Sequence, residues 1–258
     1  MVMINVFCRD NGWLFDDLKQ EIALQGAVAS REPILDADAW ICIRSSEYEL
    51  VPNREKCLIQ IHDTKNEIPS GFGAYSYVHE YQQNKSEYSG FVLPIGSRDI
   101  EYDDYPETPT IGFFCKEYGN LKRSNMFLEA VNMAKRECDF EVLLIGDNLS
   151  HISSCGKYER RGADVHDYKR IDALVSCSVS PMIPISCYEA LSCGRVVIST
   201  PRQWPFDTPM IKEGEHVEDI AELICDVVFR REIHKPFTPY RREDWARRQV
   251  LEALKLCR

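Results

Sequence analysis

The sequence predicts an α/β protein of two small doubly wound domains facing a cleft, the first of them reduced. Two patterns predict it. Short β-rich apolar runs recur along the whole chain, and several are continuous apolar stretches instead of alternations; strands buried on both faces of parallel sheets look like that. Stretches of helical periodicity stand between some of these runs, and alternation of strand and helix is the pattern of doubly wound, Rossmann-like domains.

A first series of strands is expected at 4–8, 39–44, 57–62, 75–79 and 91–95, and a second at 110–115, 141–145, 173–177 and 195–200. Phe15, Leu18, Ile22 and Leu24 mark a helix after the first strand. Apolar residues at helical spacing mark others at 125–136, 217–229 and 242–256. The stretch 97–109 is acidic and carries Pro106 and Pro109, as a linker does. The expected domains are therefore 1–105 and 106–258. The first has few helical stretches, so its sheet is expected to be trimmed.

An apolar content of 44% in 258 residues is enough for a core. The net charge of −10 gives no reason to expect a general DNA or membrane-surface binder. A local basic face is expected late in the chain, where Arg230, Arg231, Lys235, Arg241, Arg242, Arg247 and Arg248 outnumber Glu232, Glu243 and Asp244. Eleven cysteines are scattered without a C-x-x-C pair, which favours buried free thiols in a reducing cytosol over disulfides or zinc. Residues 1–7 read as a strand without a basic leader, and no apolar run reaches membrane-spanning length. A soluble, cytoplasmic protein is the expectation.

The most informative stretch, 184–198, reads as a turn, a short helix, a glycine stop and a buried strand. Ser186 and Glu189 have the spacing of a capping box, and Gly194 fits the position after the helix. The same helix also has a functional reading. Its free N–H groups, aimed into the cleft, would hold a diphosphate, and Glu189 in its first turn would accept hydrogen bonds from ribose hydroxyls. In the first domain, Gly12 of Asn11-Gly12-Trp13 lets backbone approach a phosphate or simply makes a turn. His62 and Asp63 end an apolar strand, where functional residues of open α/β sheets gather, although His62 could instead be bonded within a turn. His79-Glu80 is a poorer candidate, and His151, His166, His216 and His234 read as surface residues. The stretch 236–248 reads as an acceptor surface or as a crossover that packs.

Asp172, the strand at 173–177, Glu189-Ala190 and Cys193-Gly194 fall in a family order. The segment resembles the C-terminal nucleotide-binding core of retaining GT-B glycosyltransferases, those with a Glu-x7-Glu motif. Thr110-Ile111-Gly112 through Lys122 to Ala130 resembles the family's strand, loop and helix that open the second domain. Leu144-Ile145-Gly146-Asp147 resembles its glycine-closed strand, and Leu93-Pro94-Ile95-Gly96 the approach to its linker. The resemblance spans roughly residues 91–200. It departs at Pro181 and Met182, where the family has the first Glu and a Gly, and at Phe113, where it often has a basic residue; Lys116 is the nearby stand-in.

The resemblance implies a glycosyltransferase using a UDP-, GDP- or ADP-sugar, with no other cofactor and no metal. It implies a donor site of Gly112, Lys116, Lys122, Gly146, Ser186 and Glu189, joined by Gly12, with His62 and Asp63 on the sugar and acceptor side. It also implies a last helix that packs back on the first domain. The acceptor stays open among a polysaccharide, a lipid-linked glycan, a protein and a hydroxymethylated DNA base, the last disfavoured by the net charge. In the family the missing Glu faces the transferred sugar and the second Glu the ribose, so nucleotide binding is better supported than a particular sugar. An inactive nucleotide- or sugar-binding protein of the same fold, and a nucleotide-sugar epimerase, remain as alternatives.

Overall fold

The computed structural model describes residues 2–9, 14–62, 70–98, 105–117, 120–180 and 182–257. In chain order the elements begin with β1 (Ile4–Phe7), α1 (Leu14–Leu24), β2 (Val28–Ser30), β3 (Ala39–Cys42), β4 (Cys57–Ile61), β5 (Ala74–Tyr77), α2 (Glu80–Lys85) and β6 (Phe91–Val92). There follow β7 (Thr110–Lys116), α3 (Ser124–Ala134), β8 (Glu141–Asp147), β9 (Lys157–Glu159), β10 (Ala173–Ser176) and α4 (Ile185–Ser192). The chain closes with β11 (Val196–Ser199), β12 (Ile211–Glu213), α5 (Val217–Arg230) and α6 (Arg242–Lys255). They form two compact units, Met1–Gly96 with Tyr240–Arg258, and Ser97–Pro239.

The first unit holds a six-stranded parallel sheet in the order β2-β1-β3-β4-β5-β6. One face packs Phe7, Trp40, Cys42, Ile59, Ile61, Tyr75 and Tyr77 against loop residues such as Val51 and Phe72. Short 3₁₀ turns at Ser45–Leu50 and Arg54–Lys56 stand between β3 and β4 where a long helix would ordinarily cross. The reduction lies in this crossover and not in the sheet, which keeps six strands where a trimmed one was expected. The other face is covered by α1 and α6, with Leu18, Ile22, Trp245, Ala246 and Ala253 buried. Within it, the side-chain amide of Gln249 on α6 donates to the Ser76 hydroxyl on β5 at 2.9 Å.

The second unit holds a six-stranded parallel sheet in the order β12-β11-β10-β7-β8-β9. Counted along this unit it is the doubly wound order 3-2-1-4-5-6. On one face, α3 and α5 pack over Ile111, Phe113, Val142, Leu144, Val175 and Ile198, with Phe113 stacked on Phe127 at 4.5 Å. On the other, Phe114 meets the edge of Tyr168 at 5.3 Å. Asp172, fully buried ahead of β10, accepts the Thr110 amide at 2.7 Å and the Arg231 guanidinium at 3.0 Å. This locks the start of β10 beside the start of β7.

Several expectations change. The units divide after Gly96 instead of after residue 105. The linker's ends are tied into the second unit: the Ser97 hydroxyl bonds that of Ser192, and the Tyr105 hydroxyl donates to carbonyl oxygens of Gly194 and Glu232. The basic stretch is not one free face. Arg230 and Arg231 belong to the second unit and pair with Asp226 and Asp172. Arg242 is buried in the first, where Arg247 and Arg248 pair with Asp244 and Glu252. Strand β7 runs one residue past its expected end, to Lys116. His79 caps α2, its Nδ1 accepting the Tyr81 amide at 3.0 Å.

Gly146 has a structural reason of its own. Its φ is +152°, and a Cβ there would lie 1.6 Å from the carbonyl oxygen of Cys115 on β7. Gly146→Ala is expected to cost about 2–4 kcal/mol of stability by urea unfolding. Gly162→Ala, where a Cβ meets nothing within 4 Å, should stay within about 0.5 kcal/mol of wild type. Equal midpoints for the two variants would contradict the clash.

Candidate functional site

In a sheet of order 3-2-1-4-5-6, the connections after the first and fourth strands leave in opposite directions, and the crevice between them is where ligands of such folds bind. Here those strands are β7 and β10, and their carboxyl ends carry Lys116 and Ser176. Two helices start from the connections beyond them, α3 after β7 and α4 after β10. A helix N-terminus presents unsatisfied N–H groups and a partial positive charge. The two helices treat theirs differently.

At α3 the position is taken by protein. Glu117, buried, accepts the amides of Lys122 at 2.9 Å and Ser124 at 3.1 Å. The Ser124 hydroxyl is bonded to His151 Nε2 at 2.9 Å. A carboxylate of the chain thus stands where an anion would dock. At α4 the N-cap residue is Pro184, whose side chain offers no cap; its carbonyl accepts the Cys187 amide at 2.9 Å, and among the described residues no side-chain acceptor stands at the first amides. Ser186 lies inside the first turn and not at the cap, so the capping box with Glu189 does not form. The helix end does follow the sequence: Gly194 is left-handed at φ +71°, and the amides of Gly194 and Arg195 donate to Leu191 and Ala190 at 3.0 and 2.9 Å, a Schellman closure.

Lys122 stands in the β7–α3 connection, half-buried, and among the described residues its ammonium has no hydrogen-bond or ion-pair partner. Loss of hydration pushes its pKa below that of an ordinary lysine; Cys115 pulls the other way, and the positive charge of Arg202 adds to the fall. Lys122 and Arg202 both act on the Cys187 thiol in the first turn of α4, whose pKa is nevertheless raised by burial. The Val179 amide donates to the Leu121 carbonyl at 3.0 Å, so the β10–α4 and β7–α3 connections are bonded to each other. Sequence reasoning missed Arg202, because it follows β11 in a stretch that matched no motif.

Other sequence candidates are distributed as follows. Glu189 is half-buried one turn into α4, not in its first turn, and its carboxylate accepts the Tyr168 hydroxyl at 2.7 Å. Lys116 ends β7 with its ammonium 3.7 Å from Asp147. Gly112 sits within β7, where a Cβ would meet the Ile171 side chain at 2.8 Å, and with Gly146 it is accounted for by packing. In the first unit, His62 follows β4, with Nε2 2.9 Å from the Gln60 side-chain oxygen and its ring edge-on to Phe15 at 4.9 Å. Gly12 and Asp63, like Pro181, lie outside the described residues. One Asp-x-Asp run exists, Asp36-Ala37-Asp38, but Asp38 accepts the Met3 amide at 2.7 Å and the run precedes β3, at the amino end of its sheet.

No protein-family model matches the sequence, and no curated protein matches it. Solved structures do. A glycosyltransferase from Rickettsia africae ESF-5 is 12% identical with a TM-score of 0.63, over 99% of this chain and 96% of that one. The lipopolysaccharide outer core galactosyltransferase WaaB, in its apo form, is 10% identical with a TM-score of 0.56, over 99% and 98%. A mutant of S. aureus TarM in complex with fondaparinux, alpha-GlcNAc-glycerol and UDP is 12% identical with a TM-score of 0.59, over 94% of this chain and 59% of that one. The chain spans 52% of the length of TarM in a further structure. At these identities the likeness is one of fold, and the fold is that of the GT-B glycosyltransferases. Among the described residues no helix is long and apolar enough to cross a membrane.

A lysine with a lowered pKa loses its positive charge at a lower pH than an exposed one. If Lys122 holds an anion, affinity for inorganic pyrophosphate should decline on the alkaline side before the ordinary lysine range near pH 10.5 is reached. Calorimetric titrations against pH should show the limb move upward in Lys122→Arg, because a guanidinium keeps its proton there. An unmoved limb would assign the charge to another group.

Proposed function

We propose that the protein is a glycosyltransferase that takes its sugar from a nucleoside-diphosphate donor bound by the second unit. The observation that carries this reading is the N-terminus of α4 at the carboxyl end of β10, capped by no side chain among the described residues, with Lys122, which has no ammonium partner among them, across the switch point on the β7 side. Helix amides and a lysine are the groups that bind a diphosphate in such a position. They also stabilise it as a leaving group, because negative charge grows on it while the sugar bond breaks. Glu189 is assigned to the ribose hydroxyls, with the Tyr168 hydroxyl orienting its carboxylate. Lys116, at the end of β7, adds positive charge at the same end of the sheet. Ser186 contributes its backbone amide more than its hydroxyl.

The first unit is assigned the acceptor, with His62 at the carboxyl end of β4 and Asp63 after it. UDP, the nucleotide in the TarM complex, is the first donor nucleotide to try. GDP and ADP follow, and donor chemistry of this kind draws on no metal or further cofactor. The acceptor is read as a large one, a polysaccharide, lipid-linked glycan or protein, ahead of DNA.

Thermal unfolding with UDP, GDP, ADP and CDP, and with their common sugars, tests the reading. A ligand at about a hundred times its Kd stabilises a protein by ~2.7 kcal/mol. One nucleotide is expected to raise the Tm of wild type and to do so far less in Glu189→Gln, which still offers an oxygen to Tyr168. Release of free sugar or nucleotide from the matching donor would separate a transferase from a protein that only binds. No shift with any of the four would overturn the assignment.

A further inference from the structure

Arg202 follows β11 and turns back beneath the β10–α4 connection. Its guanidinium donates to the carbonyl oxygens of Ser180 at 2.7 Å and Met182 at 3.0 Å from one nitrogen. From the other it donates to the carbonyl and hydroxyl oxygens of Ser176 at 3.0 Å each, and more distantly to the Ser178 carbonyl at 3.4 Å. Every one of these acceptors is uncharged, and among the described residues no carboxylate pairs with the group. Its own backbone is pinned too, the Arg202 amide donating to Glu213 at 2.8 Å.

A guanidinium taken out of water ordinarily meets a carboxylate, because burying an unneutralised charge is costly. Here burial lowers the pKa of Arg202, the charge of Glu213 offsets part of the fall without pairing with the guanidinium, and Arg123 and Lys122 lie close enough for like charges to be felt. Lys122, Arg123 and Arg202 gather at the carboxyl ends of β7 and β10 against two carboxylates, Glu117 and Glu213, both engaged by backbone amides, which leaves a small local excess of positive charge in a chain whose net charge is −10. Such an excess destabilises the empty protein and is relieved by a multivalent anion.

We propose that Arg202 is the second cation of the donor site: a positioning residue that holds the carbonyls of the β10–α4 connection away from the diphosphate while setting a fixed positive charge behind it. This rests on the reading of the second unit as the donor-binding unit. The geometry explains why the arrangement works. Loop carbonyls facing a phosphate would repel it, and the Arg202 guanidinium engages four of them, three closely and one at 3.4 Å. Arginine suits this task because its donors form a rigid fork and its charge persists at any relevant pH. It also accounts for the uncharged Phe113, which faces the core against Phe127; the missing charge comes from the far side of the switch point.

The test is calorimetry on wild type, Arg202→Gln and Arg202→Lys with three probes: inorganic pyrophosphate, the nucleoside diphosphate that wild type prefers among UDP, GDP, ADP and CDP, and the matching nucleoside without phosphate. Arg202→Gln is expected to weaken both phosphate-bearing probes by about tenfold or more, as loss of a charged partner does. Nucleoside affinity should be unchanged, and Arg202→Lys, which keeps the charge without the fork, should fall between. Equal weakening of nucleoside and diphosphate would make Arg202 a loop strut only and overturn the proposal, as would unchanged diphosphate affinity. Should Arg202→Gln fail to fold, the same comparison in Arg202→Lys decides: a loss confined to the phosphate-bearing probes supports the proposal, and an equal loss or none overturns it. Failure of wild type to bind any of the four diphosphates or pyrophosphate would instead remove the donor-site reading itself.

Discussion

The parallel pairing of β10 with β7, Ala173 against Ile111 and Leu174 against Gly112, forces the connections beyond the two strands to part in opposite directions. Buried Asp172 fixes that pairing from the amino end by accepting both the Thr110 amide and the Arg231 guanidinium. From there the rest follows in order. The crevice at the carboxyl ends exists because the connections diverge. The helix that starts on each side brings its unsatisfied amides there because a right-handed crossover leaves no other path. The neighbouring β8 is drawn in so tightly beside β7 that only glycine fits at Gly146.

Electrostatics then divides the two helix termini. Glu117 neutralises the start of α3 and orders the loop that carries Lys122. The start of α4 is left to its own amides, with Arg202 beneath the loop that precedes it. One terminus is therefore a structural joint, and the other is the one the proposed donor site uses. The same carboxylate that closes the first also holds the backbone of Lys122, the lysine of the proposed donor site.

Much of this was legible in the sequence because burial on both faces writes itself as apolar runs. The central strands β1, β3, β4, β10 and β11 fall within predicted stretches, β7 and β8 start with theirs and run one and two residues past them, and α3, α5 and α6 lie within two residues of theirs. The edge strands β2, β9 and β12 were not legible. Each is three residues long and partly exposed, and β2 is held by the Asn5 side chain on the Val28 carbonyl instead of by apolar burial. The site divides in the same way. Lys122 could be singled out through the family resemblance, and the α4 terminus from the Gly194 stop. The role of Glu117 and the grip of Arg202 could not, since both act on backbone atoms brought near by the fold. Spacing also misled: Ser186 and Glu189 are three apart, yet the helix begins at Ile185, two residues too early for them to cap it.

The central claim is that the carboxyl ends of β7 and β10 are a diphosphate site. A crystal structure with UDP, or with whichever nucleoside diphosphate binds, tests it most directly. The account predicts the terminal phosphate within hydrogen-bond distance of Lys122 Nζ and of the first amides of α4, with the ribose at Glu189. A nucleotide bound with its phosphates anywhere else, at α3 beside Glu117 or in the first unit, would contradict it.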